Sequence, residues 1–260
     1  MLKITWFGTA TIKFDDKKNS LIFDPFIRID KRNNNYFIQK MSKVKNIFIT
    51  HGHIDHTMDL PIIFQDKVCN IHCTLSPYRR LIKEGINKNN LKLIKPTDNI
   101  KIGDFDITVL KGKHIRFNLG LIIKTVFNKN IIKYSSNLLI LIKAHFKHKE
   151  AHETISYYIK HHKTTFLLLG SMALDKNTNY PTDVDYLILP FQGRSDLNKK
   201  VVPLLQKIKP KNIILSHFDN SFPPISTTVD ISYLPIITNN KINLIIPKYD
   251  TEILIKKKEN

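Results

Sequence analysis

Thr50-His51-Gly52-His53-Ile54-Asp55-His56 decides how this chain is read. Three imidazoles and one carboxylate follow directly on the short apolar run 45–50. These are the donors that a borderline divalent ion prefers. Side chains alternate in an extended segment, so His51 and His53 point the same way and can share one ion. Gly52 leaves room for a close approach. Asp55 and His56 follow where the chain turns, within reach of a neighbouring site. Packing four such polar groups at a strand end without a partner would be costly. The motif therefore predicts a metal centre at the end of a buried strand rather than a solvated loop.

Outward from the motif, the first fifty residues read as β, with strands at 2–7, 11–14 and 20–24 and a turn at 15–19. Residues 28–40, polar and rich in Asn, read as a loop. Ser76-Pro77 opens a helix that Gly85 stops, because a first turn tolerates the missing N–H of proline. Strands return at 101–112, 155–159 and 164–169, with a helix expected at about 135–152 between them. A strand at 185–189 is followed by a helix from Ser195 or Asp196 to Ile208, then by a strand at 211–216 that again ends on a histidine, His217. Strands near 241–246 and 251–255 complete the chain. No internal repeat or linker divides it. Strands first, then helices and strands interleaved twice, predict one α/β domain with two sheets.

H-x-H-x-D-H after an apolar strand resembles the metallo-β-lactamase superfamily of hydrolases, and the resemblance extends over nearly the whole chain. Ile4-Thr5-Trp6-Phe7-Gly8-Thr9-Ala10-Thr11 looks like the family's first strand. Leu21-Ile22-Phe23-Asp24-Pro25 is similar to the strand whose Asp supports the ligands from behind. His114, in Lys111-Gly112-Lys113-His114, matches the third histidine of the first metal site, and Leu215-Ser216-His217-Phe218-Asp219 looks like the final histidine strand. Within the superfamily the nearest resemblance is to the lactonase-like branch, which includes ascorbate-6-phosphate lactonase and the N-acyl-phosphatidylethanolamine phospholipase D enzymes.

The resemblance implies a four-layered αββα sandwich, a single domain over residues 1–260 with a helical insert at about 135–152, and a site at one edge between the sheets. It implies one ion on His51, His53 and His114 and a second on Asp55, His56 and His217. Zn2+ is the expected metal, with Mn2+ or Fe compatible with the same donors. The implied activity is that of a metal-dependent hydrolase, using a metal-bound hydroxide on a small ester, lactone, amide or phosphodiester, since a bound ion lowers the pKa of water from 15.7 to about 7. Asp55 would orient the nucleophile or pass a proton to the leaving group. Asp24 would hold a ligating imidazole in its tautomer through the other ring nitrogen.

Two departures stand out. In the family an aspartate bridges the ions from a Gly-Asp turn after an apolar strand. Here Thr165-Phe166-Leu167-Leu168-Leu169-Gly170 is followed by Ser171. Either the second ion is weak or absent, or another carboxylate substitutes, with Asp175 nearest and Asp183 and Asp185 further off. Thr9 also stands where many relatives in this branch carry His.

Composition bounds the function. Among 260 residues, 41 are basic and 22 acidic, a formal charge of +19, but Lys is spread along the whole chain beside abundant Asn and Ile. That is a compositional bias rather than a nucleic-acid patch. A nuclease of the same superfamily stays the alternative, as does a non-catalytic metal-binding protein retaining the fold. The favoured partner is a small, anionic substrate, which Arg194 in the strand-to-helix loop 189–196 could hold through a carboxylate or phosphate; an oligomer is compatible. His145, His148 and His152 would share one face of the 135–152 helix, which reads as a Lys-rich exposed face or a lid. Cys69, His72 and Cys73 lack the other half of a structural zinc site, so buried thiols are expected. With no signal-peptide pattern and no apolar run near the ~20 residues that span a bilayer, a cytoplasmic protein without a membrane span is expected.

Overall fold

A computed structural model describes residues 1–29, 35–116, 148, 151–221, 223, 226, 228–238 and 241–256. Two seven-stranded sheets form its centre. The first is built from β1 (Leu2–Trp6), β2 (Ile12–Asp15), β3 (Ser20–Phe23), β4 (Asn46–Phe48), β5 (Asn70–Cys73), β6 (Leu91–Leu93) and β14 (Glu252–Ile255), in the order β14-β1-β2-β3-β4-β5-β6. The second holds β7 (Asn99–Ile102), β8 (Phe105–Lys111), β9 (Ile155–His161), β10 (Thr164–Leu168), β11 (Tyr186–Pro190), β12 (Asn212–Ser216) and β13 (Asn243–Ile245), in the order β13-β12-β11-β10-β9-β8-β7. Each sheet is antiparallel on one side and parallel on the other. β3, β4, β5 and β6 run parallel in the first, and β10 to β13 do so in the second.

Strand alternation sorts the core into layers. Phe166 and Leu168 of β10 face between the sheets, whereas Leu167 faces outward with Leu169. Likewise Phe48 of β4 points inward, and Ile47 and Ile49 point outward. Because both faces are covered, these strands read as continuous apolar runs rather than as alternating ones. The outer layer on the first sheet comes from α1 (Asn35–Ser42), α3 (Leu60–Phe64) and α4 (Leu75–Lys83), and α2 (Ile54–Thr57) lies at the strand ends beside it. α5 (Leu197–Ile208) and α6 (Leu234–Thr238) cover the second sheet with Val201, Leu204, Leu205, Ile208 and Leu234. The result is the four-layered αββα sandwich.

Two local expectations change. The loop read over 28–40 gives way to α1 from Asn35, because Phe37 and Met41 are drawn into the core from a polar stretch. The helix expected at about 135–152 lies outside the described residues as far as 147. Its end does not hold, because Ala151 and His152 have φ of 54° and 58° and form a turn. The thiols of Cys69 and Cys73 are buried, and burial pushes them up to about 11 and about 12. Among the described residues, no helix is long and apolar enough to cross a membrane.

His72 shows what β alternation does to a polar residue. Ile71 and Cys73 take the outer face, so His72 is turned inward and stacks on Phe48 at 4.5 Å. Burial pushes its pKa down to about 4, and nearby Lys92 adds to the shift. The folded protein therefore resists protonating His72, while the unfolded chain accepts a proton near pH 6.5. As pH falls from 6.5 toward 4, stability is lost by up to about 3 kcal/mol. His72→Phe is expected to keep the stack and remove this slope, read as the difference between variant and wild-type urea midpoints at pH 7 and pH 4.5.

Candidate metal centre

The site forms where strands from both sheets end together. β3 and β4 are parallel neighbours, so their carboxyl ends stop side by side, and the N–H of Asp24 donates to the Phe48 carbonyl at 2.9 Å. Asp24 then turns out of the strand with φ 45°, a conformation that Asp tolerates better than most residues. Its carboxylate accepts the Thr50 N–H and the Thr50 hydroxyl, both at 2.7 Å. On the neighbouring sheet, the Tyr157 hydroxyl reaches across to the Ile49 carbonyl at 2.7 Å and ties the two sheets together behind the site.

Thr50 is a relay. Its single proton goes to Asp24, so its oxygen accepts from Nδ1–H of His51 at 3.0 Å. That fixes the His51 tautomer and turns a bare Nε2 toward His53 Nδ1, 3.1 Å away. The edge of a tetrahedron with zinc–nitrogen bonds is about 3.3 Å. His114 completes this group, its ring 4.9 Å from His51 and 4.5 Å from His53. Donor atoms of His51, His53 and His114 all lie within 4.8 Å of one another.

The second group forms on α2. His53 precedes the helix in extended conformation, and Asp55 and His56 are both buried in its single turn. Asp55 Oδ2 lies 2.7 Å from His217 Nε2 and 3.4 Å from His56 Nε2. His56 Nδ1 in turn faces Asp24 Oδ2 at 2.9 Å. Donors of Asp55, His56 and His217 also fall within 4.8 Å of one another. The rings of His51 and His56 are 3.9 Å apart, so the two groups share one pocket.

The electrostatics follow from this packing. Burial opposes charge on His56, but Asp24 and Asp55 on its two sides raise it to about 10. Burial would raise Asp55 too, yet His56 and His217 hold its carboxyl well below the usual carboxylate range. His51, fully buried among His56, His53 and His114, is pushed well below the ordinary imidazole value. The pocket therefore has an anionic Asp55, a bare imidazole at His51, and an acid proton on His56 that a cation would displace.

His217 is aimed by Thr9 and, behind it, by Asp219, Arg28 and Ser221, to which the sequence alone gave no such role. It has φ 58°, and its N–H donates to the Thr9 carbonyl at 2.6 Å. The Thr9 N–H donates to Asp219 Oδ1 at 3.0 Å, and Asp219 also meets Arg28 at 3.2 Å and the Ser221 hydroxyl. Gly8 has φ 89°, and a Cβ there would stand 3.1 Å from Arg28 and Asp219. Thr9 thus contributes backbone groups where a ligand-type residue was sought. Asp219, two residues beyond the last histidine, was the available signal.

The other named residues sort as follows. Ser171 is buried, and its hydroxyl accepts the Ile115 N–H at 3.0 Å, pinning the loop that carries His114. Asp175 folds into its own turn, accepting the Asn177 N–H at 3.0 Å and the Thr178 hydroxyl at 3.3 Å. Asp185 caps the opposite ends of the strands, where it takes the Thr165 N–H and Lys211, and Asp183 precedes them in a turn. His148 is buried beside the site, 2.7 Å from the Thr57 hydroxyl, rather than on an exposed face. Arg194 is forked onto Asp196 and donates to the Arg116 carbonyl at 2.9 Å. It lines a cleft of about 670 Å3 that also includes His114.

A family model described as the beta-lactamase superfamily domain matches residues 3–217. The chain is 24% identical over 220 residues to a UPF0173 protein of Pyrococcus abyssi, covering 84% of this chain and 83% of that one. It is 22% identical over 262 residues to a UPF0173 metal-dependent hydrolase of Methylobacterium nodulans, covering 98% and 100%. Among solved structures, Igni18, a metallo hydrolase of Ignicoccus hospitalis, superposes with a TM-score of 0.60 at 13% identity over 99% of each chain. At that identity the likeness is one of fold.

Proposed function

Since this chain belongs to the beta-lactamase superfamily, we propose that it is a metal-dependent hydrolase acting on a small anionic ester, lactone, amide or phosphodiester. One observation carries the reading: six ligand-type side chains from the segments that follow three different strands converge in one pocket as two three-donor groups. In this reading His51, His53 and His114 hold one ion, and Asp55, His56 and His217 hold another. Five of the six donors are imidazoles and the sixth is the Asp55 carboxylate, a set that favours zinc, with manganese and iron as further candidates. The bare His51 nitrogen 3.1 Å from His53 suits a cation at that point. When bound, the metal supplies Lewis-acid activation of water and of the scissile group's oxygen.

The chain's own residues do the rest. Asp55, kept anionic by His56 and His217, would hold its ion through one carboxylate oxygen and, through the other, orient the attacking water or pass a proton to the leaving group. Asp24 keeps His56 Nδ1 protonated and so turns Nε2 toward Asp55. The cleft beside His114 is lined by Lys113, Arg116, Lys176, Arg194, Lys200 and Lys207, and no carboxylate is among its described lining residues. Its remaining walls, including Met172, Leu174 and Leu204, are largely apolar. Arg194, held rigid by Asp196, still has donors to spare. Such walls suit an apolar body carrying a carboxylate or phosphate.

The test is metal content per chain by mass spectrometry, after purification and after reconstitution with zinc or manganese, alongside turnover of bis(4-nitrophenyl) phosphate and a lactone panel. We expect bound metal, loss of the ion held by His51, His53 and His114 in His51→Ala and in His53→Ala, and loss of turnover with it. Arg194→Met should raise KM for anionic substrates at least about tenfold with little change for neutral ones. Folded protein that binds no metal under either condition overturns the hydrolase reading.

A further inference from the structure

A second cluster of ligand-type side chains lies at the opposite pole of the sandwich. β9 starts at Ile155, whose N–H donates to the Thr50 carbonyl beside the metal centre, and ends six residues later on His161. At about 3.3 Å per residue the two ends are roughly 20 Å apart. His162 begins the turn to β10, with φ 51°, and Asp104 lies in the turn between β7 and β8. Donor atoms of Asp104, His161 and His162 lie within 4.8 Å of one another. His162 Nε2 is 3.6 Å from Asp104 Oδ2, and the two imidazole rings are 4.5 Å apart.

Asp16, from the turn between β2 and β3, stands behind this group. Its Oδ1 takes the N–H groups of Lys18 at 2.9 Å and Asn19 at 2.7 Å, which fixes the carboxylate. Its Oδ2 lies 3.3 Å from His161 Nε2. A carboxylate on one ring nitrogen is the arrangement that commits the other nitrogen to a metal. Two imidazoles and one carboxylate on adjacent turns, with a second carboxylate oriented behind, make a donor set for a first-row divalent ion. Together Asp16 and Asp104 neutralise a dication.

We propose that Asp104, His161 and His162 form a second metal site that takes a zinc-class ion, with Asp16 positioning His161 and water completing the coordination. Its role is structural. Asp16 lies in a turn of one sheet, and the three ligands lie at the end of β9 and in two turns of the other, so the ion fastens the two sheets at the pole opposite the metal centre. Burial keeps His161 below the ordinary imidazole value, so the ligand is neutral at pH 7. Lys163 and Lys256 line the pocket beside the two histidines and add positive charge there.

The experiment uses the full chain in a His53→Ala/Asp55→Asn/His217→Ala background, which takes three of the six donors from the main centre and separates this proposal from the hydrolase reading. His162 is 54% exposed along its side chain and Asp104 45%, so His162→Ala and Asp104→Asn leave the core untouched. In the background protein, zinc is expected to bind at one equivalent by calorimetry. It should raise Tm by roughly 5 °C at a hundredfold excess over Kd. Adding His162→Ala or Asp104→Asn should abolish both effects. Cobalt should report the site independently through its visible absorption. No zinc uptake in the background protein, or uptake unchanged by both added substitutions, overturns the proposal.

Discussion

Asp24→Ala is expected to lower unfolding free energy by about 3–5 kcal/mol and to cost the protein its metal affinity. Asp24 is 1% exposed and binds three partners: the Thr50 N–H, the Thr50 hydroxyl and His56 Nδ1. Removing one member of a buried charged pair leaves the other uncompensated, and that accounts for the energy. Ala also tolerates φ 45° less well than Asp, adding about 1 kcal/mol. The loss then spreads through the relay. Without Asp24, the Thr50 proton is free to rotate toward His51, and the tautomer that bares His51 Nε2 is no longer enforced. Supporting carboxylates of this kind are worth about 10–100-fold in metal affinity. Asp24→Asn separates the two effects. Asn accepts the backbone conformation and can still receive the Thr50 N–H, so it should restore those two contributions to stability while leaving His56 without its counter-charge. The charge facing His56 is lost, so metal affinity should fall. Urea midpoints and zinc competition titrations on both variants check this. Wild-type affinity in Asp24→Asn would remove Asp24 from the site.

The layers and the ligand strands were legible because both depend on short-range rules. A run such as Phe166-Leu167-Leu168-Leu169 has partners on both faces, so its burial is written in consecutive residues. His51 and His53 share a direction because of strand alternation, and the roles expected of Asp24 and His217, at the ends of apolar strands, came from the family resemblance. What stayed hidden depends on contacts distant in sequence. Asp219 reaches Thr9 across 210 positions, and Thr57 meets His148 across 91. Thr50 was visible only as the residue before a histidine, since its role rests on where its one proton goes. α1 was missed because Tyr36, Gln39 and Lys40 dilute the apolar signal of Phe37 and Met41. Asp175 illustrates the reverse error. Nearness in sequence to Ser171 suggested a substitute carboxylate, but its own turn satisfies it first.

Asp55→Asn is expected to reduce turnover by at least about 10³-fold and to erase the tighter of two metal-binding steps. The argument is one of charge. His51, His53 and His114 are neutral donors, so Asp55 is the single carboxylate among the six ligand-type groups. Two dications in a pocket where His51 and His56 lie 3.9 Å apart would bring four positive charges against Asp55 and the supporting Asp24. At an effective dielectric constant of 20, each unit charge at 4 Å is worth about 4 kcal/mol before desolvation is counted. The group containing Asp55 must therefore fill first, and the group of three imidazoles should bind at least about 10²-fold more weakly. An amide at position 55 removes the anionic ligand and the proton acceptor together, and loss of a positioned general base alone costs about 10²–10⁴-fold. Ser171→Asp is the complementary change. Ser171 is hydrogen-bonded to the loop that carries His114, and a carboxylate there adds the negative charge the weaker group lacks. It should tighten that weaker step at least tenfold while leaving the tighter one in place. Zinc titration against a competing chelator separates the two steps. Equal affinities in the wild-type protein would mean that a carboxylate other than Asp55 already serves both ions, and Ser171→Asp would then have nothing to restore.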